Sequence, residues 1–313
     1  MASTHQDTLV SSVEALAIQP TTTGTTSMTP PTQSTPASDP LSPSTWLLWQ
    51  FLDSALPTGG FIASNGLEAF AKLHPEQSSP QEVEAYIDWS VHSCAYTNLP
   101  FVDAAWRLVD RWIDLDQGTR LRTEKGRTRA LEGALHRIAN VDREYHVFMN
   151  NSIQNAASRK QGDGILMMGV KCFVDQVPPS SSSPLPTDES DFTGLGPQMR
   201  ILKHFKAMVR RDEVAGHYPI AYAIIARLLG FDLATTRQLH LHLHARTLLS
   251  SAVRLALLGP FQAQHIMTRS QTMARYIDRK TANLTIEDAA QTFLAGDICS
   301  GMHGRLWTRL FNS

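Results

Sequence analysis

The 313-residue sequence is poor in cysteine: Cys94, Cys172 and Cys299 are an odd number, 78 and 127 positions apart. That spacing rules out a cysteine-only zinc ribbon and argues against a disulfide framework. A charge excess of either sign is also missing. Against 28 Lys and Arg stand 29 Asp and Glu, so no basic surplus is available to neutralise phosphates, which argues against a DNA or RNA binder. The most apolar stretch, Pro219 to Gly230, is interrupted by Arg227 and falls well short of the roughly 20 residues a membrane span needs. The phosphate-cradling G-x-x-x-x-G-K-[ST] loop, a G-x-G-x-x-G turn and a G-x-S-x-G elbow are all absent, which weakens nucleotide-binding and hydrolase readings.

Proline is present but unevenly placed. Of the 17 prolines, six lie in residues 1–45 and five in Asp175 to Gln198, leaving six for the rest. Residues 1–45 hold 25 Ser, Thr or Pro with no Lys, Arg or Phe, Trp or Tyr. Such a segment cannot bury enough apolar surface to offset its ordering entropy and reads as a disordered tail. It has neither the basic start and apolar core of a secretory signal nor the Arg-rich pattern of a mitochondrial presequence, so a cytoplasmic location is expected. Residues 175–198 read as an inserted flexible loop within a single domain spanning 46–313.

The remaining sequence carries helical periodicity and no alternating β-branched run, so the fold class is all-α, a single multi-helix bundle. The spacing predicts helices over Trp46–Asp53 and Gly66–Leu73, and another from Pro80 to about Tyr96. Pro100 is expected to open a further helix to about Asp114. Thr128–Arg159 reads as one long helix, Leu131, Leu135, Ile138, Val141, Tyr145 and Phe148 forming its apolar stripe, interrupted by Gly162 and Gly164. Pro219 lies near a helix start with Gly230 at its end, and Asp232 caps a long segment. Thr285 is expected to open a last helix running toward Trp307.

Two histidines offer the most tempting chemistry. His240 and His244 share a helix face at i, i+4, a spacing that suits metal binding. Between Leu233 and Ile277, however, there is no Asp, Glu or Cys, so a metal would find only imidazoles locally. Partly exposed polar helix positions are the expected reading, and a helical metal-binding enzyme using His240 and His244 is the alternative. The same stretch carries Arg237, Arg246, Arg254, Arg269 and Arg275, whose charge must be balanced from outside it. Internal pairing with acids such as Asp103, Glu144 or Asp297 is expected for most, whereas Arg254 either pairs internally or faces a partner. The compact loop Asp53–Phe61 and the apolar ending Gly304–Ser313 are the other unusual features, since chain ends are ordinarily polar and frayed.

Four blocks in order resemble the urease accessory protein UreF family. Leu47 to Glu68 (LLWQFLDSALPTGGFIASNGLE) is similar to its opening signature, and Ser158-Arg-Lys-Gln-Gly162 to its next block. Gly216-His-Tyr-Pro219 with Ser251-Ala-Val-Arg-Leu255, and Asp297-Ile298 through Arg309-Leu310-Phe311, follow as the central and C-terminal blocks. The pattern departs at Ile62-Ala63, where the family commonly has Ser-His.

The resemblance implies an all-helical, dimerising accessory protein without catalytic residues. It implies partnership with the accessory protein UreD (also called UreH), the GTPase UreG and apo-urease in GTP-dependent nickel insertion. No cofactor is expected to bind tightly: nickel passes through the complex and GTP belongs to the partner GTPase. The partner-binding residues that it suggests are Phe61, Ser64, Glu68, His217, Arg254, Arg309, Leu310 and Phe311. Arg254 is also the candidate for an arginine offered to the GTPase.

Overall fold

A computed structural model describes residues 43–53, 63–117, 123–173 and 196–312. The regions read as tail and insert lie outside the described residues, apart from residues 43–45 and 196–198. Among the described residues there are ten α-helices and no strand, as the periodicity predicted. The described residues all fall within one compact unit.

The helices are α1 (Pro43–Leu52), α2 (Leu67–Leu73), α3 (Pro80–Gln117), α4 (Glu124–Phe148), α5 (Ser152–Met168), α6 (Pro197–Arg210), α7 (Tyr218–Leu228), α8 (Leu233–Arg254), α9 (Pro260–Thr281) and α10 (Leu294–Met302). The central element is α7, in which every residue from Pro219 through Ala226 is buried. A helix apolar on all sides can only be a core helix, and α3 and α5 flank it. A second core joins α3, α8 and α9 through Ile87, Val91, Leu248, Leu249 and Ile266.

Several boundaries differ from expectation, each for a local reason. Helix α1 starts at Pro43, before the expected Trp46, because proline is well tolerated in a first turn. Pro100 does not open a helix; it lies inside the 38-residue α3. Without an N–H at position 100, Tyr96 O loses its intrahelical donor, and Ala290 N–H fills that role at 3.3 Å. The long helix expected from Thr128 divides at Asn151, whose side chain accepts from Ile153 N at 3.1 Å and Gln154 N at 3.3 Å and so starts α5. The helix expected from Thr285 is only a 3₁₀ turn, Ile286–Asp288, closed by a capping box, and α10 begins later.

The internal pairing expected of the arginines is found for Arg237, whose guanidinium donates to Asp103 and Asp278, each at 2.6 Å, with all three side chains buried. Arg269 pairs with Glu84 at 3.0 Å, and Arg246 donates to the Leu52 carbonyl. Asp297 instead accepts from Asn151.

Candidate functional site

Helix α2 is positioned by the turn before it, where Asn65 (φ 48°) and Gly66 (φ 84°) are both left-handed. A Cβ on Gly66 would come within 2.7 Å of Tyr86 Oη and 2.9 Å of both Gly296 O and Ser300 N, so only glycine lets this turn lie against α10. The turn directs Glu68 into a fully buried position. Its Oε1 accepts from Lys72 Nζ at 2.8 Å and Leu310 N at 2.7 Å; its Oε2 accepts from Phe311 N at 3.0 Å and His303 Nε2 at 3.1 Å. A carboxylate only accepts, so His303 carries its proton on Nε2 toward Glu68. Burial pushes the Glu68 pKa up, but the hydrogen bonds from Lys72, Leu310, Phe311 and His303 outweigh it and hold the carboxyl below its ordinary value.

One buried carboxylate therefore ties the last residues of the chain to α2. Lys72 Nζ adds a bond to Thr308 O at 2.5 Å, and the Arg254 guanidinium lies 4.4 Å from the centre of the buried Phe311 ring. Ser251 Oγ of α8 donates to Ala63 O at 3.2 Å, joining the central block to the same junction. Of the sequence-suggested residues, Glu68, Arg254, Leu310 and Phe311 meet here, with Ser64 buried beside them in the turn. Arg309 is exposed on the docked segment. Phe61 lies outside the described residues.

The outer side of this junction is apolar. Leu294, Ile298 and Met302 form an exposed stripe at i, i+4, i+8 along α10, and it is followed by Trp307, fully exposed, and Leu310, half exposed. The α10 stripe was missed in the sequence. Its four-residue spacing was legible, but it was merged into the single long helix expected from Thr285.

His217 is elsewhere. It caps the approach of α7 to α5, fully buried, with Nδ1 3.2 Å from Ser158 Oγ and Nε2 3.0 Å from His146 Nδ1. Asp142 accepts the backbone N–H of Gly216 at 3.0 Å and of His217 at 2.8 Å. A Cβ on Gly162 would lie 1.9 Å from Gly216 O. Gly162 is thus not an interruption of α5 but the point at which the turn leading into α7 approaches it. The Ser158 and Gly216 blocks form one packing joint, and His217 offers no surface to a partner. Burial, with the nearby His146 and Arg159 charges, pushes the His217 pKa down to about 3. Ser158 Oγ also accepts from Tyr218 N at 3.1 Å, which ties α5 to the start of α7.

His240 is buried, against expectation, whereas His244 is partly exposed, as expected. Both line a cavity of about 220 Å³ between α3, α5, α8 and α10. Asn98 accepts from Tyr145 Oη at 2.9 Å, so its amide nitrogen donates to His240 Nε2 at 3.2 Å; His244 Nε2 is 2.9 Å from Ser90 Oγ. Burial pushes His240 down to about 3 and His244 to about 4, so both are neutral at pH 7. No group of three His, Cys, Asp or Glu able to hold a metal occurs among the described residues, and the metal-enzyme alternative gains no third ligand. No helix there is long and apolar enough to cross a membrane.

The fold and its two junctions define an all-helical protein whose conspicuous polar groups fasten one segment to another and leave an apolar end facing outward. The chain belongs to the UreF family, whose model matches residues 77–271. It is 27% identical over 270 residues to urease accessory protein F of Arabidopsis thaliana, covering 86% of this chain and 92% of that protein. It is 28% identical over 271 residues to urease accessory protein F of Oryza sativa subsp. japonica, covering 86% and 85%. Urease accessory protein 6 of Cryptococcus neoformans is 27% identical over 320 residues, covering 85% and 96%.

Proposed function

We propose that this chain is a chaperone of urease maturation. Together with UreD/UreH and the GTPase UreG it forms the complex that activates apo-urease by GTP-dependent nickel insertion. It acts in the cytoplasm as a homodimer within that complex, and it is a scaffold, not an enzyme. Nickel is cargo that passes through, and GTP is held by UreG.

The observation that carries this reading is the C-terminal segment docked on Glu68, with Trp307 and Leu310 turned toward solvent. An exposed apolar end held by a few directional bonds is suited to being taken up by a partner. In this reading UreD/UreH engages the exposed Arg309 and Leu310 directly, and Phe311 once the segment is released. Ser64, Glu68 and His217 act through the segments they hold, and Phe61 joins the surface on which UreG docks. Arg254 is packed on Phe311, so offering it to a GTPase requires the segment to move first. Deleting the gene is expected to abolish urease activity at ordinary nickel supply, measured with and without excess nickel. Normal urease activity in the deletion strain overturns the proposal.

A further inference from the structure

Helix α9 has a solvent face with cations and aromatics but no carboxylate. Its buried side, Ala263, Ile266, Ser270, Ile277 and Thr281, packs inward, and its one acid, Asp278, is on that side, bound to Arg237. The exposed side carries Phe261, Arg269, Arg275, Tyr276, Arg279 and Lys280. At 1.5 Å per residue this is a ridge roughly 30 Å long. Phe261 is 91% exposed and Tyr276 56%.

The charges on this ridge are poorly matched. Arg269 reaches Glu84 at 3.0 Å. Arg279 Nε donates to the Arg275 carbonyl at 3.3 Å, and Lys280 Nζ lies 5.5 Å from the Tyr276 ring centre. Among the described residues no carboxylate forms an ion pair with Arg275, Arg279 or Lys280. The next acids along the chain, Glu287 and Asp288, are engaged by Thr285. A helix dipole favours cations in a last turn, which accounts for Arg279 and Lys280. It accounts for neither Arg275, a turn earlier, nor two large aromatics left in water.

From this we infer that the α9 face is a docking surface for an acidic protein segment, one presenting carboxylates to Arg275, Arg279 and Lys280 and an apolar side chain to Tyr276 or Phe261. Charge complementarity selects the occupant: planar guanidiniums pair with carboxylates, and exposed aromatics beside arginine typify protein interfaces. The near-neutral net charge of the chain disfavours nucleic acid as the occupant. This surface is separate from the Glu68 junction, so it stands or falls independently of the proposed urease role.

The test uses the full chain and a fluorescein-labelled peptide built of Glu and Leu, followed by fluorescence anisotropy. Reversing Arg275→Glu, Arg279→Glu and Lys280→Glu together is expected to weaken binding about tenfold, the scale of three screened ion pairs. A control with the same change of net charge, Lys125→Glu, Arg129→Glu and Arg137→Glu on α4, is expected to change it by less than about twofold. The milder Arg275→Gln, Arg279→Gln, Lys280→Gln variant guards against misfolding and should lose an intermediate amount. Equal losses in the α9 and α4 variants overturn the inference. So does tighter binding of single-stranded DNA than of the peptide when that binding is lost with the α9 cations.

Discussion

Replacing Glu68 with glutamine changes one oxygen of a buried acceptor into a donor. Four donors converge on the carboxylate: Lys72 Nζ, His303 Nε2 and the N–H groups of Leu310 and Phe311. If the new amide nitrogen takes the place of Oε2, it faces Phe311 N–H and His303; if it replaces Oε1, it faces Leu310 N–H and Lys72. Either way at least one buried N–H loses its acceptor, and bonds to a charged group become bonds to a neutral one. Those two effects together cost about 2–4 kcal/mol. The penalty falls on docking of the last residues, so the released state should become on the order of 30- to 700-fold more populated. Amide hydrogen exchange reads this directly. In Glu68→Gln the amides of Leu310 and Phe311 should lose protection while those of Ile220 to Ala226 in the core keep theirs. Because the folded carboxyl is held below its ordinary value of 4.5, its contribution is complete above that value and is lost as pH falls through the lower folded one. The wild-type segment should therefore loosen only in that acid range, a step absent from Glu68→Gln. Unchanged protection of Leu310 and Phe311 in the variant would refute the reasoning.

Three further outcomes are expected. Gly162→Ala places a methyl 1.9 Å from Gly216 O and should destabilise the fold by about 3 kcal/mol, whereas Gly133→Ala, whose nearest neighbour is 3.9 Å away, should gain up to about 1 kcal/mol; thermal unfolding of the pair distinguishes them, and equal shifts contradict the joint. Arg237→Met leaves Asp103 and Asp278 buried without their cation and should cost about 3–5 kcal/mol in urea unfolding, with less than about 1 kcal/mol counting against the triad. His217 and His240, pushed down to about 3, and His244, pushed down to about 4, take up protons in the unfolded chain first, at its ordinary 6.5. Stability should be complete above that pH and fall as pH drops toward the folded values, with a slope approaching three protons; a pH-independent unfolding free energy over that window contradicts their burial.

Much of the architecture was legible because it depends on local rules. Asp232 caps α8 through Thr235 N at 2.6 Å, and Pro219 lies in the first turn of a helix buried on every side. What could not be read depended on distant partners. Pro100 is tolerated inside α3 only because Ala290 approaches the freed carbonyl of Tyr96, and Gly162 continues its helix only because Gly216 needs the space. The candidate site divides along the same line. The family-like blocks named Glu68, Arg254, Leu310 and Phe311 without indicating that they meet, since the turn at Gly66 brings Glu68 to Leu310, 242 positions along the chain, and Arg254 meets Phe311 only once that segment is docked. The same blocks grouped His217 with them, although it belongs to a buried joint of its own.

In the proposed function the C-terminal segment is the partner anchor. Truncating the chain after Trp307 and co-expressing it with UreD/UreH tests it most directly. Co-purification is expected to be lost while circular dichroism still reports the full helical content; a truncated chain that still co-purifies with UreD/UreH would contradict that role.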